Sequence, residues 1–251
     1  MPLKSLLGIS YQDSNKAHHD SIPIVLLHGA GSSHLGWPAV FRYMPDQHVL
    51  SLDLPGHGAS EAVQPTSIEE YAKQVFAFLD HLQIEQVIIA GFSMGAMIAL
   101  EMLLTQPKYF SKAIFFSYPL SFTLGTLLDD YALGMATPAH LIEQFSSSLL
   151  HSAGNTAQQN LLAAPLLDEE QLFHDLAAIR GYRASFQPGP VHVPTLWVFG
   201  EKDVFSENGD RRFIHEQFPS AQIKEIPNAG HLSVWEYPDR VLQITTDFLL
   251  T

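Results

Sequence analysis

The chain has 251 residues, 46% of them hydrophobic, and its 13 Lys plus Arg against 26 Asp plus Glu give a formal charge of −13. That length holds one large core, or one domain carrying an inserted subdomain, while the negative charge repels nucleic acid and anionic membrane surfaces. The absence of cysteine excludes disulfides, thiol nucleophiles and thiolate metal sites, and with Gly8 interrupting the short apolar patch of residues 1–10 no signal peptide is expected, which makes the cytoplasm the expected location.

Apolar runs of strand length, each followed by a turn signal and then a helical pattern, predict an α/β fold with a mostly parallel central sheet flanked by helices. Leu6 to Tyr11 predicts an antiparallel edge strand, and Ile22 to Leu27 the first central one, ending at His28-Gly29. His48 to Leu52 is the next. Ser67 to Leu82 reads as a helix, with Ser67 and Glu70 as a capping box and Ile68, Tyr71, Val75, Phe78, Leu79 and Leu82 at three- and four-residue steps. Gln86 to Ala90, Ala113 to Ser117, Thr195 to Phe199 and Gln222 to Ile226 complete the strands. Pro238 and Asp239 open a last helix, with Val241, Ile244, Phe248 and Leu249 on one face. The nearly uncharged stretch Val87 to Leu104 holds two glycines, a serine and Glu101. A buried strand followed by a buried helix is therefore expected there, and no membrane span.

Between Pro119 and Val193 the alternation stops, and leucine-rich helical patterns are broken by Gly125, Gly134, Pro138, Gly154 and Pro165. The expected organisation is a core domain of residues 1–118 and 194–251 with an inserted helical lid, 119–193. The insertion follows a strand, on the side where open α/β sheets bind ligands.

Gly91-Phe92-Ser93-Met94-Gly95 stands between the apolar runs Val87–Ala90 and Ala96–Leu100, which places a serine on a strand-to-helix turn. The residues two before and two after it must be small for the neighbouring segments to close in, and both are glycine. Serine is a weak nucleophile at neutral pH, so it needs a base and a third group that orients the base. Thirteen histidines compete for that role. In this context the chain order is serine, acid, histidine, which selects His231, just after the last expected strand. Asp203, in the turn after Thr195–Phe199, is the expected acid, with Glu201, Asp129 and Asp130 as rivals. Charge developing on a substrate oxygen needs donors already in place. Met94 N–H, at a helix start, and Ala30 N–H, in His28-Gly29-Ala30-Gly31, are the expected pair.

These residues resemble the α/β-hydrolase fold family. Four landmarks fall in its order: His28-Gly29-Ala30-Gly31, Asp53-Leu54-Pro55-Gly56-His57-Gly58-Ala59-Ser60, Gly91-Phe92-Ser93-Met94-Gly95, and Gly200-Glu201-Lys202-Asp203 followed by Gly230-His231. The resemblance implies Ser93 as nucleophile, His231 as base and then acid, Asp203 as orienting carboxylate, and Asp53 and His57 as scaffold. His28 is expected to hydrogen-bond within its own loop. Trp37 either lines the pocket or packs a helix start. His18-His19-Asp20 has no common metal spacing and reads as a solvated turn, so neither metal nor cofactor is expected.

A serine nucleophile implies acyl transfer in two steps. The Leu-, Phe- and Ala-rich insertion predicts an apolar pocket suited to carboxylic esters of small to medium acyl chain. That insertion carries two basic residues, Arg180 and Arg183, against seven acidic ones. The two are spaced to share a helix face, and they either meet an acyl carrier protein, as in esterases of biotin synthesis, or grip one substrate carboxylate, or are ordinary solvated charges. Relatives with such triads also cleave thioesters, lactones and carbon–carbon bonds, transfer acyl groups to alcohols or make peracids, and some are ligand receptors with little turnover. Fold and triad do not choose among them.

Overall fold

Strands buried on both faces read as unbroken apolar runs, and four such runs form the middle of the sheet: β3 (Ile24–Leu27), β4 (Val49–Leu52), β5 (Val87–Phe92) and β7 (Thr195–Gly200), each buried along its whole length. The computed structural model describes residues 3–14, 21–63, 65–120, 169–186, 189–206 and 211–251. β1 (Lys4–Leu6), β2 (Ile9–Ser14), β6 (Phe110–Phe116) and β8 (Gln222–Ile226) complete an eight-stranded sheet in the order β1-β2-β4-β3-β5-β6-β7-β8. β1 pairs antiparallel with β2 and β2 with β4, and every other pairing is parallel.

The expected single edge strand is a hairpin. Leu7 and Gly8 both take positive φ, 49° and 77°, the signature of a two-residue turn whose twist matches its strands. β6 begins three residues earlier than its apolar run suggests. Its polar start is accommodated because the Lys112 ammonium donates to Phe248 O and Leu249 O, each at 2.9 Å. At the far border β8 is half-exposed, with Lys224 and Glu225 facing solvent.

Helices α1 (Ala39–Arg42), α2 (Ile68–His81), α3 (Met94–Thr105), α4 (Glu169–Gly181), α5 (Arg212–Gln217), α6 (Ser233–Glu236) and α7 (Pro238–Leu249) flank the sheet. α2 buries Tyr71, Val75, Phe78 and Leu79, and the Ser67 hydroxyl caps it by accepting Glu70 N–H. The capping box is not closed as expected: the Glu70 carboxylate reaches past Ser67 to Thr66 N–H at 2.7 Å. α7 buries Val241, Thr245 and Phe248, with Ile244 and Leu249 at the margin of that face. Of the expected insertion, residues 121–168 lie outside the described residues. Among the described residues no helix is long and apolar enough to cross a membrane.

Register brings the carboxyl ends of the strands to one border: Leu27 pairs with Gly91, Phe92 with Phe116, Phe116 with Val198 and Gly200 with Ile226. Every loop that follows a parallel strand starts there. α3 packs over this border so closely that a side-chain carbon on Gly91 would come within 2.1 Å of Gly95 O, and one on Gly95 within 2.1 Å of Leu27 O. Gly95→Ala is therefore expected to cost about 3 kcal/mol, the upper end for overpacking, because the obstacle is backbone. Urea unfolding against the parent checks this, and an unchanged midpoint would mean that α3 can retreat freely.

Candidate active site

Ser93 joins β5 to α3 with φ 52° and ψ −114°, a backbone conformation that costs a side-chain-bearing residue about 1–3 kcal/mol. Its surroundings hold it there. Ser93 N–H donates to Phe116 O at 3.0 Å, and Ser93 O accepts from Ala96 N–H and Met97 N–H at 2.9 and 3.2 Å. The side chain is thereby thrust off the end of β5 at the positive end of α3.

The sheet gathers the three residues expected from sequence. The Ser93 hydroxyl donates to His231 Nε2 at 2.9 Å, and His231 Nδ1–H donates to the two Asp203 oxygens at 2.9 and 3.0 Å. These bonds fix one tautomer, with Nε2 free to accept the serine proton. Asp203 and His231 are buried, and Ser93 is 6% exposed. Their loops are tied to each other: Glu201 N–H donates to Ile226 O and Lys202 N–H to Ala229 O, at 3.0 and 2.8 Å. A side chain on Gly200 would strike Gly230 O at 2.1 Å, so this contact requires glycine. Glu201, the rival acid, faces the other way and accepts Asn228 N–H at 2.9 Å. Asp129 and Asp130 lie outside the described residues.

Residues 28–31 form the loop after β3. His28 Nδ1–H donates to Gly29 O at 2.8 Å, and His28 Nε2 accepts Leu54 N–H at 3.0 Å. Burial, followed by the charge of neighbouring His57, pushes the His28 pKa down to about 3, so the ring stays neutral as those two bonds require. Gly29 O and Ala30 N–H belong to the same peptide plane, and holding the oxygen sets the direction of the amide. A side-chain carbon on Gly29 would lie 3.0 Å from Phe92 Cδ1 and 3.5 Å from Ser93 Cβ. The loop therefore runs against the serine. Among the described residues neither Ala30 N–H nor Met94 N–H has a protein acceptor, the state expected of donors kept for a ligand.

Other sequence expectations are placed differently. Trp37 is a core residue, 1% exposed, packed on Phe41, Phe92 and Phe116. Arg180 and Arg183 do not share a helix face, because α4 ends at Gly181. Arg183 Nη1 instead donates to Arg180 O and Tyr182 O at 3.2 and 2.6 Å. Both arginines do line a cavity of about 410 Å³, together with Met97, Tyr118, Ile179 and Phe213. None of Ser93, Asp203 and His231 lines it, although Met97 lies one turn of α3 beyond Ser93. Asp53 is scaffold in its contacts: it accepts His34 N–H and Nδ1–H and Ala59 N–H at 2.6, 2.7 and 2.9 Å. Burial works to raise its pKa, but those bonds and the His34 ring hold it below the usual carboxylate range. His18-His19-Asp20 lies outside the described residues, among which no cluster fit for a metal occurs.

Two sets of site residues escaped the sequence reading. Phe92 and Phe205 clamp the His231 ring, with centroids at 5.5 and 4.8 Å. Gln171 and Asp175 of α4 are buried beneath the loop 28–31. The signal for the second set was present: Gln171, Leu172, Asp175, Leu176 and Ile179 recur at helical spacing, so two polar residues stand in an otherwise apolar stripe.

Comparison with known proteins agrees with this architecture. A dihydrolipoyllysine-residue acetyltransferase component of an acetoin cleaving system from Pseudomonas putida is 28% identical over 252 residues; the match covers 90% of this chain, which spans 63% of that protein's length. A pimeloyl-[acyl-carrier protein] methyl ester esterase of Neisseria meningitidis is 26% identical over 258 residues, covering 95% of this chain and 98% of the esterase. Among solved structures, a thermophilic esterase from Thermogutta terrifontis superposes with a TM-score of 0.81 at 20% identity, over 96% of this chain and 92% of its own. Residues 24–244 match the Alpha/beta hydrolase family, and the chain belongs to that family.

Proposed function

We propose that the protein is a serine hydrolase that cleaves carboxylic esters of small to medium acyl chains through an acyl-enzyme. The observation that carries this reading is the continuous relay of Ser93, His231 and Asp203, with every link at 2.9–3.0 Å. Ser93 Oγ attacks the ester carbonyl while His231 Nε2 takes the hydroxyl proton, and Asp203 stabilises the resulting imidazolium. The carbonyl oxygen gains the charge and is received by Ala30 N–H and Met94 N–H. His231 then protonates the leaving alcohol. In the second half it deprotonates water, which releases the acid and restores the serine. Neither metal nor cofactor is called for. In this reading residues 1–118 and 194–251 supply the chemistry and the insertion 119–193 supplies the acyl pocket.

One observation favours a narrower substrate. Arg180 and Arg183 stand at a cavity beside α3 whose lining is about equally polar and apolar, an arrangement suited to an acyl chain ending in a carboxylate or in the phosphate of a carrier-bound thioester. The Neisseria relative acts on a carrier-linked acyl methyl ester by its name.

A panel of p-nitrophenyl esters of increasing acyl length, set beside methyl esters of dicarboxylic acids, tests both readings, and fluorophosphonate titration tests whether a serine that is 6% exposed is reachable. Sustained turnover with one labelled serine per chain is expected. A single burst of product would instead point to a receptor. Ser93→Ala is expected to abolish turnover and labelling with the fold intact by circular dichroism. Asp203→Asn is expected to lower kcat by about 10⁴, through the wrong histidine tautomer. Activity like the parent's in either variant removes that residue from the relay.

A further inference from the structure

The Ala30–Gly31 peptide, next along the chain from the one that carries Ala30 N–H, is held by a charged group from outside the catalytic relay. Gly31 N–H donates to Asp175 Oδ2 at 2.7 Å. Gly31 has φ +63°, and Leu172 of α4 lies 2.9 Å from where its side chain would begin. α4 therefore sits directly on the loop, through the close approach of Leu172 and the hydrogen bond from Gly31 N–H to the Asp175 carboxylate, a single turn apart.

The protonation state of this contact follows from geometry. Asp175 Oδ1 accepts the Tyr71 hydroxyl at 2.7 Å and Gln171 Nε2 at 3.1 Å, while Oδ2 takes both Gly31 N–H and His57 Nε2, the latter at 2.7 Å. Three donors besides the imidazole, Tyr71 O–H, Gln171 Nε2–H and Gly31 N–H, converge on the two oxygens and stabilise the charged form, so Asp175 is a carboxylate. His57 Nδ1 faces Pro55 O at 2.9 Å. A carbonyl and a carboxylate can only accept, so both ring nitrogens carry hydrogen and His57 is an imidazolium. Neither side chain of this pair touches solvent. The pKa directions agree: burial works to lower that of His57 but Asp175 raises it, and burial works to raise that of Asp175 but His57, Gly31 N–H and Tyr71 lower it. Other groups facing His57 are His28, edge-on at 4.8 Å, the Tyr71 ring at 6.1 Å and the Asp53 charge.

A buried ion pair contributes little stability compared with an apolar pair of the same volume. What such a pair supplies is position. We propose that Asp175, with its charge neutralised by His57, is a positioning residue that aims the Ala30 amide by fixing the peptide after it. His28 fixes the peptide plane that carries this amide, and Asp175 fixes the following one, so the two dihedrals of Ala30 that connect them are set from both sides. The inference rests on the acyl-transfer reading of Ser93, since only there does an oxyanion form.

The test is the double variant Asp175→Leu/His57→Phe, which removes the acceptor of Gly31 N–H without leaving a buried charge unpaired, with Asp175→Asn as the single variant should the first fail to fold. Loss of one oxyanion donor costs about 10²- to 10³-fold in kcat, and a misaimed donor should cost about 10- to 100-fold with KM changed less than about threefold. Affinity for a trifluoromethyl ketone, whose adduct places an oxyanion in the same spot, should fall by the same factor as kcat/KM. Hydrogen exchange at the Gly31 amide should quicken. Unchanged kcat and inhibitor affinity, or a rise in KM alone, overturns the proposal. If the parent protein hydrolyses no ester, the acyl-transfer reading fails on its own, and exchange at Gly31 still decides whether Asp175 anchors the loop.

The ion pair also predicts a pH response. The folded-state pKa of His57 lies above its unfolded value of about 6.5, so its contribution to stability is complete below that pH and is lost as pH rises through the folded pKa. The thermal midpoint of the parent should decline as pH rises above about 6.5, and the double variant should lack that decline. An identical decline in both places the titrating group elsewhere.

Discussion

The constraint on which the site depends is a serine held at positive φ between two segments that no side chain could separate. Ser93 does not adopt φ 52° by its own preference. It is held there because β5 must turn at once into α3, and α3 lies against the end of β3, with Leu27 O only 2.1 Å from where a Gly95 side chain would begin. The strain of about 1–3 kcal/mol is local, whereas the packing that opposes its relief extends over β3, β5, β6 and the buried length of α3. One consequence is that the position of the Ser93 side chain belongs to the sheet and not to a loop.

The rest of the site is built on the same border by shorter ties. Asp203 and His231 come from turns after adjacent parallel strands, and two backbone hydrogen bonds join those turns before either side chain is considered. The Asp203–His231 pair is thus preorganised by main chain, with Phe92 and Phe205 limiting how the imidazole can tilt. Among the described residues, no main-chain hydrogen bond ties the glycine-rich loop after β3 to a neighbouring turn. The loop is held by side chains, His28 from within and Asp175 from α4, so its placement depends on charged and polar groups where that of Ser93 depends on packing.

This division explains how much could be read from the residues in order. Central strands were legible because burial on both faces leaves unbroken apolar runs, and the elbow was legible because its close approaches demand glycine at fixed offsets. The relay followed from chain order, Ser93 to Asp203 to His231. Less legible were elements stabilised by partners distant in sequence. β1 is three residues with a polar exposed face, and the start of β6 depends on Lys112 reaching the end of α7. Asp175 lies 144 positions from Gly31, so nothing local marks it beyond polarity in an apolar stripe. Arg183 shows the reverse error, since a three-residue spacing suggested a shared helix face that the chain leaves two residues too early.

The borders of the sheet bear on how copies of the molecule meet. An open sheet ends in rows of unpaired amides and carbonyls that invite a foreign strand. Here one border is a three-residue strand beginning with Lys4, and the other carries the adjacent exposed charges Lys224 and Glu225. A second chain adding its own strand at the β8 side would meet these exposed charges and the mutual repulsion of two molecules each at −13. The sheet that fixes Ser93 thus ends in borders that disfavour growth along its own hydrogen-bonding direction.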